Sequence, residues 1–133
     1  MTRSSWRWIS EKSVLAIHEE QIAEHGGLAG IRDLGLLQSA LARPQNLDAY
    51  EEPDAAGLAA AYAVGIARNH PFLDGNKRTA WVVAETFLLK NGHELTASDG
   101  DSLETMLSVA DGATPEQEFA VWLRANIAPI KEG

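Results

Sequence analysis

Cysteine is absent from the 133 residues of this chain. Its absence excludes disulfide bonds, thiol nucleophiles and cysteine-ligated zinc. Long hydrophobic runs are missing too. The longest strongly apolar stretch, Leu58 to Ala67, is too short to cross a bilayer and is rich in alanine rather than leucine. Met1 to Ser10 hold arginines and tryptophans but no apolar h-region, so no secretory signal is expected and a cytoplasmic protein is. Positive charge is scarce: eleven Lys and Arg face nineteen Asp and Glu, a net charge of −8. Broad nucleic-acid binding is not expected of such a chain, because neutralising phosphates takes a basic surface. No repeat, low-complexity tract or interdomain linker interrupts the sequence, which leaves one domain over residues 1–133 with a single core.

What is present is helical periodicity. Ser10 to His25 places Val14, Leu15, Ile17 and Ile22 on one broad face, with Ser10 as N-cap and Gly26-Gly27 as stop. Leu34, Leu37, Ala40 and Leu41 predict a second, shorter helix ending before Pro44, followed by a polar loop from Gln45 to Glu52. Ala55 to Arg68 is apolar on all sides and small in side chain, the pattern of a buried central helix. Further helices are expected over Asn76 to Asn91, closed by Gly92, and over Asp101 to Ala110. Thr114-Pro115-Glu116-Gln117 reads as the capped start of a last helix carrying Phe119, Trp122 and Leu123, with Ile127 as a candidate end. Trp6 to Ile9 and His93 to Thr96 are candidates for short extended pieces. The sum is an all-α, compact single-domain bundle of about six helices with one or two very short strands.

The chemistry is concentrated in residues 70 to 78, His-Pro-Phe-Leu-Asp-Gly-Asn-Lys-Arg. This nonapeptide holds a proton-transfer group, a metal-capable carboxylate, a glycine turn and two cations, and it leads into a helix. A helix N-terminus offers unpaired N–H groups and the positive end of a dipole, both suited to a phosphate. Arg68, Lys77 and Arg78 are three of only eleven basic residues and lie within eleven positions, which points to a local anion pocket. His18 and His25 share a helical face, but no third metal ligand accompanies them and a structural role is expected.

The nonapeptide resembles the signature of the Fic/Doc superfamily, and specifically its Doc (death-on-curing) branch. Gly30 to Leu37 and Ala40 to Gln45 resemble the same branch. The resemblance implies an all-helical fold and the toxin of a bacterial toxin–antitoxin pair, held silent by a small, partly disordered antitoxin. Fic members transfer AMP from ATP and carry glycine where this chain has Lys77. Doc members carry the lysine and are associated with phosphoryl transfer from ATP. Their implied substrate is a threonine of the translation elongation factor that delivers aminoacyl-tRNA. By this resemblance His70 is the general base and Asp74 the ligand of a Mg²⁺ bridging nucleotide phosphates. Gly75, Asn76, Lys77 and Arg78 bind phosphate and offset charge in the transition state, with Arg68 as a weaker neighbour. Two other readings stay open: an AMP transferase, and a catalytically silent module that only binds antitoxin.

Overall fold

The computed structural model describes residues 5–131. In chain order these form α1 (Glu11–His25), α2 (Leu34–Tyr50), α3 (Ala55–Asn69), α4 (Asn76–Lys90), β1 (His93–Leu95), α5 (Asp99–Ala110), α6 (Glu116–Ala125) and β2 (Ile127–Pro129). The architecture is the all-α bundle its periodicity predicts. No helix among the described residues is long and apolar enough to cross a membrane.

The centre is α3. Every residue from Ala55 to Ala67 except Gly57 is buried, and α2, α4 and α6 pack around it. Its small side chains are what permit this. A Cβ added at Gly65 would lie 3.2 Å from the backbone of Ala40, so α2 and α3 cross nearly at backbone contact. Tyr62 brings the one phenol into the core, and its oxygen accepts the Ile9 N–H at 3.0 Å, so the polar group is not orphaned. Ser10, the expected N-cap, accepts a first-turn N–H, and so do Asp33, Asp54 and Ser98; the Ser98 cap starts α5 at Asp99, two residues before the expected Asp101. Asp54 also binds Arg124, which holds its carboxyl below the usual carboxylate range and ties the start of α3 to α6.

Four other expectations are corrected. The second helix does not end before Pro44 but runs through it to Tyr50. A proline inside a helix costs about 3 kcal/mol, but here the ring is buried, Leu37 and Ala40 before it are buried, and Leu47 after it packs on the core. Burial on both sides offsets the missing N–H. The polar loop expected over Gln45 to Glu52 is therefore helix as far as Tyr50. The last helix starts one residue later than its signature suggested, with Pro115 as the cap residue, because the Thr114 hydroxyl lies 2.6 Å from Ser108 Oγ. Trp6 to Ile9 form no strand; the rings of Trp6 and Trp8 instead pack 6.0 Å from Phe87. The partner of β1 is β2, antiparallel with Leu95 opposite Ile127, a residue whose periodicity reads equally as helix.

Candidate active site

The site forms where α3 ends and α4 begins. His70 is the C-cap of α3, in the left-handed conformation (φ 53°, ψ 53°), the one non-glycine among the described residues with positive φ. A capping role and a chemical role for this histidine are thus the same placement: the backbone ends the helix while the exposed side chain is turned out. Left-handed geometry costs a residue with a Cβ roughly 1–2 kcal/mol, a strain that persists only where surrounding contacts fix it.

Those contacts come from two directions. From the segment before α2, Arg32 donates through Nε to the His70 carbonyl (2.6 Å) and through a terminal nitrogen to the Asn69 carbonyl (2.9 Å). The N–H groups of Arg32 and Asp33 both reach the Pro71 carbonyl, at 2.7 and 3.0 Å, and Leu73 N–H reaches the Gly30 carbonyl at 3.2 Å. Carbonyls that a helix end leaves orphaned are thereby satisfied. From α1, the His18 ring lies flat on the buried Phe72 (centroids 3.8 Å apart, 7° between planes), and its Nε2 is 2.8 Å from the Asp74 carbonyl. Just beyond α1, the Leu28 N–H donates to Asp74 Oδ2 at 2.7 Å.

Asn76 is the brace inside the loop. Its Oδ1 accepts the Phe72 N–H and its Nδ2 donates to the Phe72 carbonyl, both at 3.0 Å. Only this amide orientation satisfies both, so the nitrogen also faces His70 Nδ1, at 3.3 Å. His70 Nδ1 is consequently an acceptor, and in the neutral ring the proton sits on Nε2. The phosphate contact expected of Asn76 is not how the free protein uses it: the residue is buried and both its amide hydrogens are engaged within the loop.

Gly75 follows in left-handed geometry (φ 76°) and caps α4 without any side-chain hydrogen bond. The first N–H groups of α4 thus face outward with no side-chain acceptor. Lys77 and Arg78 are exposed there, and neither has an ion-pair or hydrogen-bond partner among the described residues. Two cations without a partner among the described residues, on a protein of charge −8, make this corner a candidate anion site. Asp74 fits a metal role beside them: Oδ2 is held by Leu28 N–H, while Oδ1 has no partner among the described residues and the side chain is exposed. One open carboxylate oxygen next to an uncapped helix N-terminus suits Mg²⁺, which commonly completes its shell with waters and phosphate oxygens. Arg68 does not join the group. At the end of α3 its guanidinium donates to the Thr114 carbonyl, 3.1 Å away, on the turn before α6.

Lys77 and Arg78 also line a groove between α1, α4 and α5, about 390 Å³ in volume, whose other walls include Trp81, Leu103, Met106 and Leu107. Leu103 is largely exposed along it and Leu107 partly so.

Two residues central to this geometry were not singled out by the sequence: Arg32 stands in a stretch that resembles the Doc branch but carries no assigned role there, and His18 lies outside every motif. Arg32 is 38 positions from the carbonyl it grips, and His18 is 56 from Asp74. The general rule that helix-end carbonyls need donors says that something must serve them, without saying what.

Comparison with known proteins shows the family. A family profile described as the Fic/DOC family matches residues 8–88. The chain is similar to "Toxin Doc" of Mycolicibacterium smegmatis, 48% identical over 88 residues that make up 62% of this chain and 66% of that protein. It is also similar to "Protein kinase doc" of Escherichia phage P1, 42% identical over 87 residues covering 65% and 69% of the two chains. The match thus spans about two thirds of the length of these curated relatives.

Proposed function

Because the chain belongs to the Fic/Doc family, in its Doc branch, we propose that it is a toxin enzyme that transfers the γ-phosphoryl group of ATP to a protein Ser or Thr hydroxyl. The proposed target is the elongation factor that delivers aminoacyl-tRNA, which would halt translation. The observation that carries this reading is the pair of cations, Lys77 and Arg78, without partners among the described residues, on the bare N-terminus of α4 beside Asp74 and His70.

The chain's own groups divide the work. The outward N–H groups after Gly75 receive phosphate oxygens, and Lys77 and Arg78 offset charge as the phosphoryl group leaves ADP. Asp74 would hold Mg²⁺, which supplies further positive charge against the phosphates. The target hydroxyl displaces the weak 3.3 Å contact of Asn76 with His70 Nδ1 and gives that nitrogen its proton while its oxygen forms the new P–O bond. Lysine at position 77 favours phosphoryl over AMP transfer. A glycine there would let the nucleotide approach the backbone closely, whereas the long cation keeps it back and reaches a terminal phosphate.

Incubating the protein with α- or γ-labelled ATP and a bacterial lysate tests the reaction. Label is expected on protein from the γ position only. Transfer of α label alone would replace this reading with AMP transfer, and transfer of neither would favour the silent module.

The partner proposed for control is an antitoxin whose amphipathic helix fills the groove between α1, α4 and α5 and covers both cations. Leu103→Glu places a charge on that exposed wall without touching the core. It is expected to leave growth arrest intact and to abolish rescue by the co-expressed antitoxin. Undiminished rescue would move the partner elsewhere.

A further inference from the structure

His18 is a buried, polar, titratable side chain that the reaction above does not use. It is 3% exposed, though on the expected apolar face of its helix an aliphatic residue would pack as well. Instead the position carries a ring with a hydrogen-bonding edge, and both features meet the same loop. The face of the ring stacks on Phe72 and its edge meets Asp74, two residues on.

We propose that His18 is a positioning residue for the metal- and phosphate-binding turn: its Nε2–H holds the Asp74 carbonyl while its ring holds Phe72. The Asp74 carbonyl can only accept, so His18 Nε2 must carry the proton. That bond fixes the backbone of Asp74. The Leu28 N–H, just past the same helix, fixes Asp74 Oδ2, and Ile22 stands one helical turn along, its Cδ1 3.2 Å from where a Gly75 Cβ would be. Three points of contact from α1 and its following turn therefore set how far the Asp74 carboxylate and the Gly75 amides project from the surface. A carboxylate that takes a metal through one free oxygen needs its other atoms held, and such supporting hydrogen bonds commonly change metal affinity by tenfold or more when removed. The inference rests on the phosphate-site reading of this turn but not on which group of ATP is transferred.

The test separates the ring from its hydrogen bond. His18→Phe keeps a flat ring on Phe72 and removes the donor; His18→Gln keeps a donor of similar reach and removes the ring. In the natural protein, imidazole ¹⁵N spectra are expected to show His18 Nε2 protonated, with its proton exchanging slowly. In His18→Phe, amide hydrogen exchange over residues 73–77 is expected to accelerate at least tenfold. The Mg²⁺ concentration for half-maximal binding of a non-hydrolysable ATP analogue should rise by about tenfold, with the helical circular-dichroism signal unchanged. His18→Gln should recover most of the Mg²⁺ dependence. An unprotonated Nε2 in the natural protein would overturn the proposal, even if neither variant folded. So would a His18→Phe protein whose loop exchange and Mg²⁺ midpoint match the natural one. Should γ label fail to transfer while His18→Phe still loosens the turn, the kinase reading falls and the positioning role stands.

Discussion

His70→Ala is expected to lose protein labelling from ATP by a factor on the order of 10²–10⁴, the usual worth of a positioned general base, and to lose growth arrest with it. The companion variant His70→Gly should be equally inactive and yet unfold no more easily than the natural chain. The reason is the left-handed backbone at position 70, φ 53°, which glycine adopts without steric cost. Releasing roughly 1 kcal/mol of strain there offsets the entropy that glycine adds to the unfolded state. Thermal denaturation of the three proteins, alongside label transfer, reads both effects. A toxic His70→Ala would remove the base. A glycine variant clearly less stable than the natural chain would instead show that the histidine ring contributes more to folding than its backbone costs.

Gly75→Val should be nearly as damaging to activity through a different cause. Gly75 has φ 76°, and a Cβ there would sit 3.2 Å from Ile22 Cδ1. A β-branched residue is the poorest choice for that backbone, and the strain is of order 1–3 kcal/mol. The chain relieves it by rotating the turn, which takes the first N–H groups of α4 out of line. Helix content should stay close to natural because the buried face of α4, from Thr79 through Val83 to Phe87, is untouched. ATP-analogue binding and label transfer should fall together. A variant that still binds and transfers at the natural rate would mean that the amide cradle does not hold the phosphates.

Much of this was legible in the chain itself. Local signals wrote the helix start at Ser10, and the unbroken run of small apolar residues made α3 the centre. The nonapeptide gave the loop, its glycine turn and its cations. What could not be read depends on neighbours distant in sequence. Pro44 ends a helix by every local rule, and only packing against α3 carries α2 through it. Arg68 is one of three cations clustered in sequence, but its guanidinium turns to the Thr114 carbonyl on the turn before α6. Asn76 looked like a ligand to phosphate because of where it stands in the motif; its burial and its three hydrogen bonds within the loop make it a brace in the free protein. His18 sat in a pattern that reads simply as helix, and its meaning came from a loop 56 residues away.

The helix that ends at His70 has no wet side. Between Ala55 and Ala67 it meets packed neighbours in nearly every direction, so it can neither slide nor roll without prising the whole bundle apart. The backbone of the histidine on the tip of such a post is anchored by that packing. Switching this protein off by bending its machinery would demand partial unfolding. A silencing partner can far more cheaply shade the machinery and leave it standing, and relief of that shade would return a site already in working order.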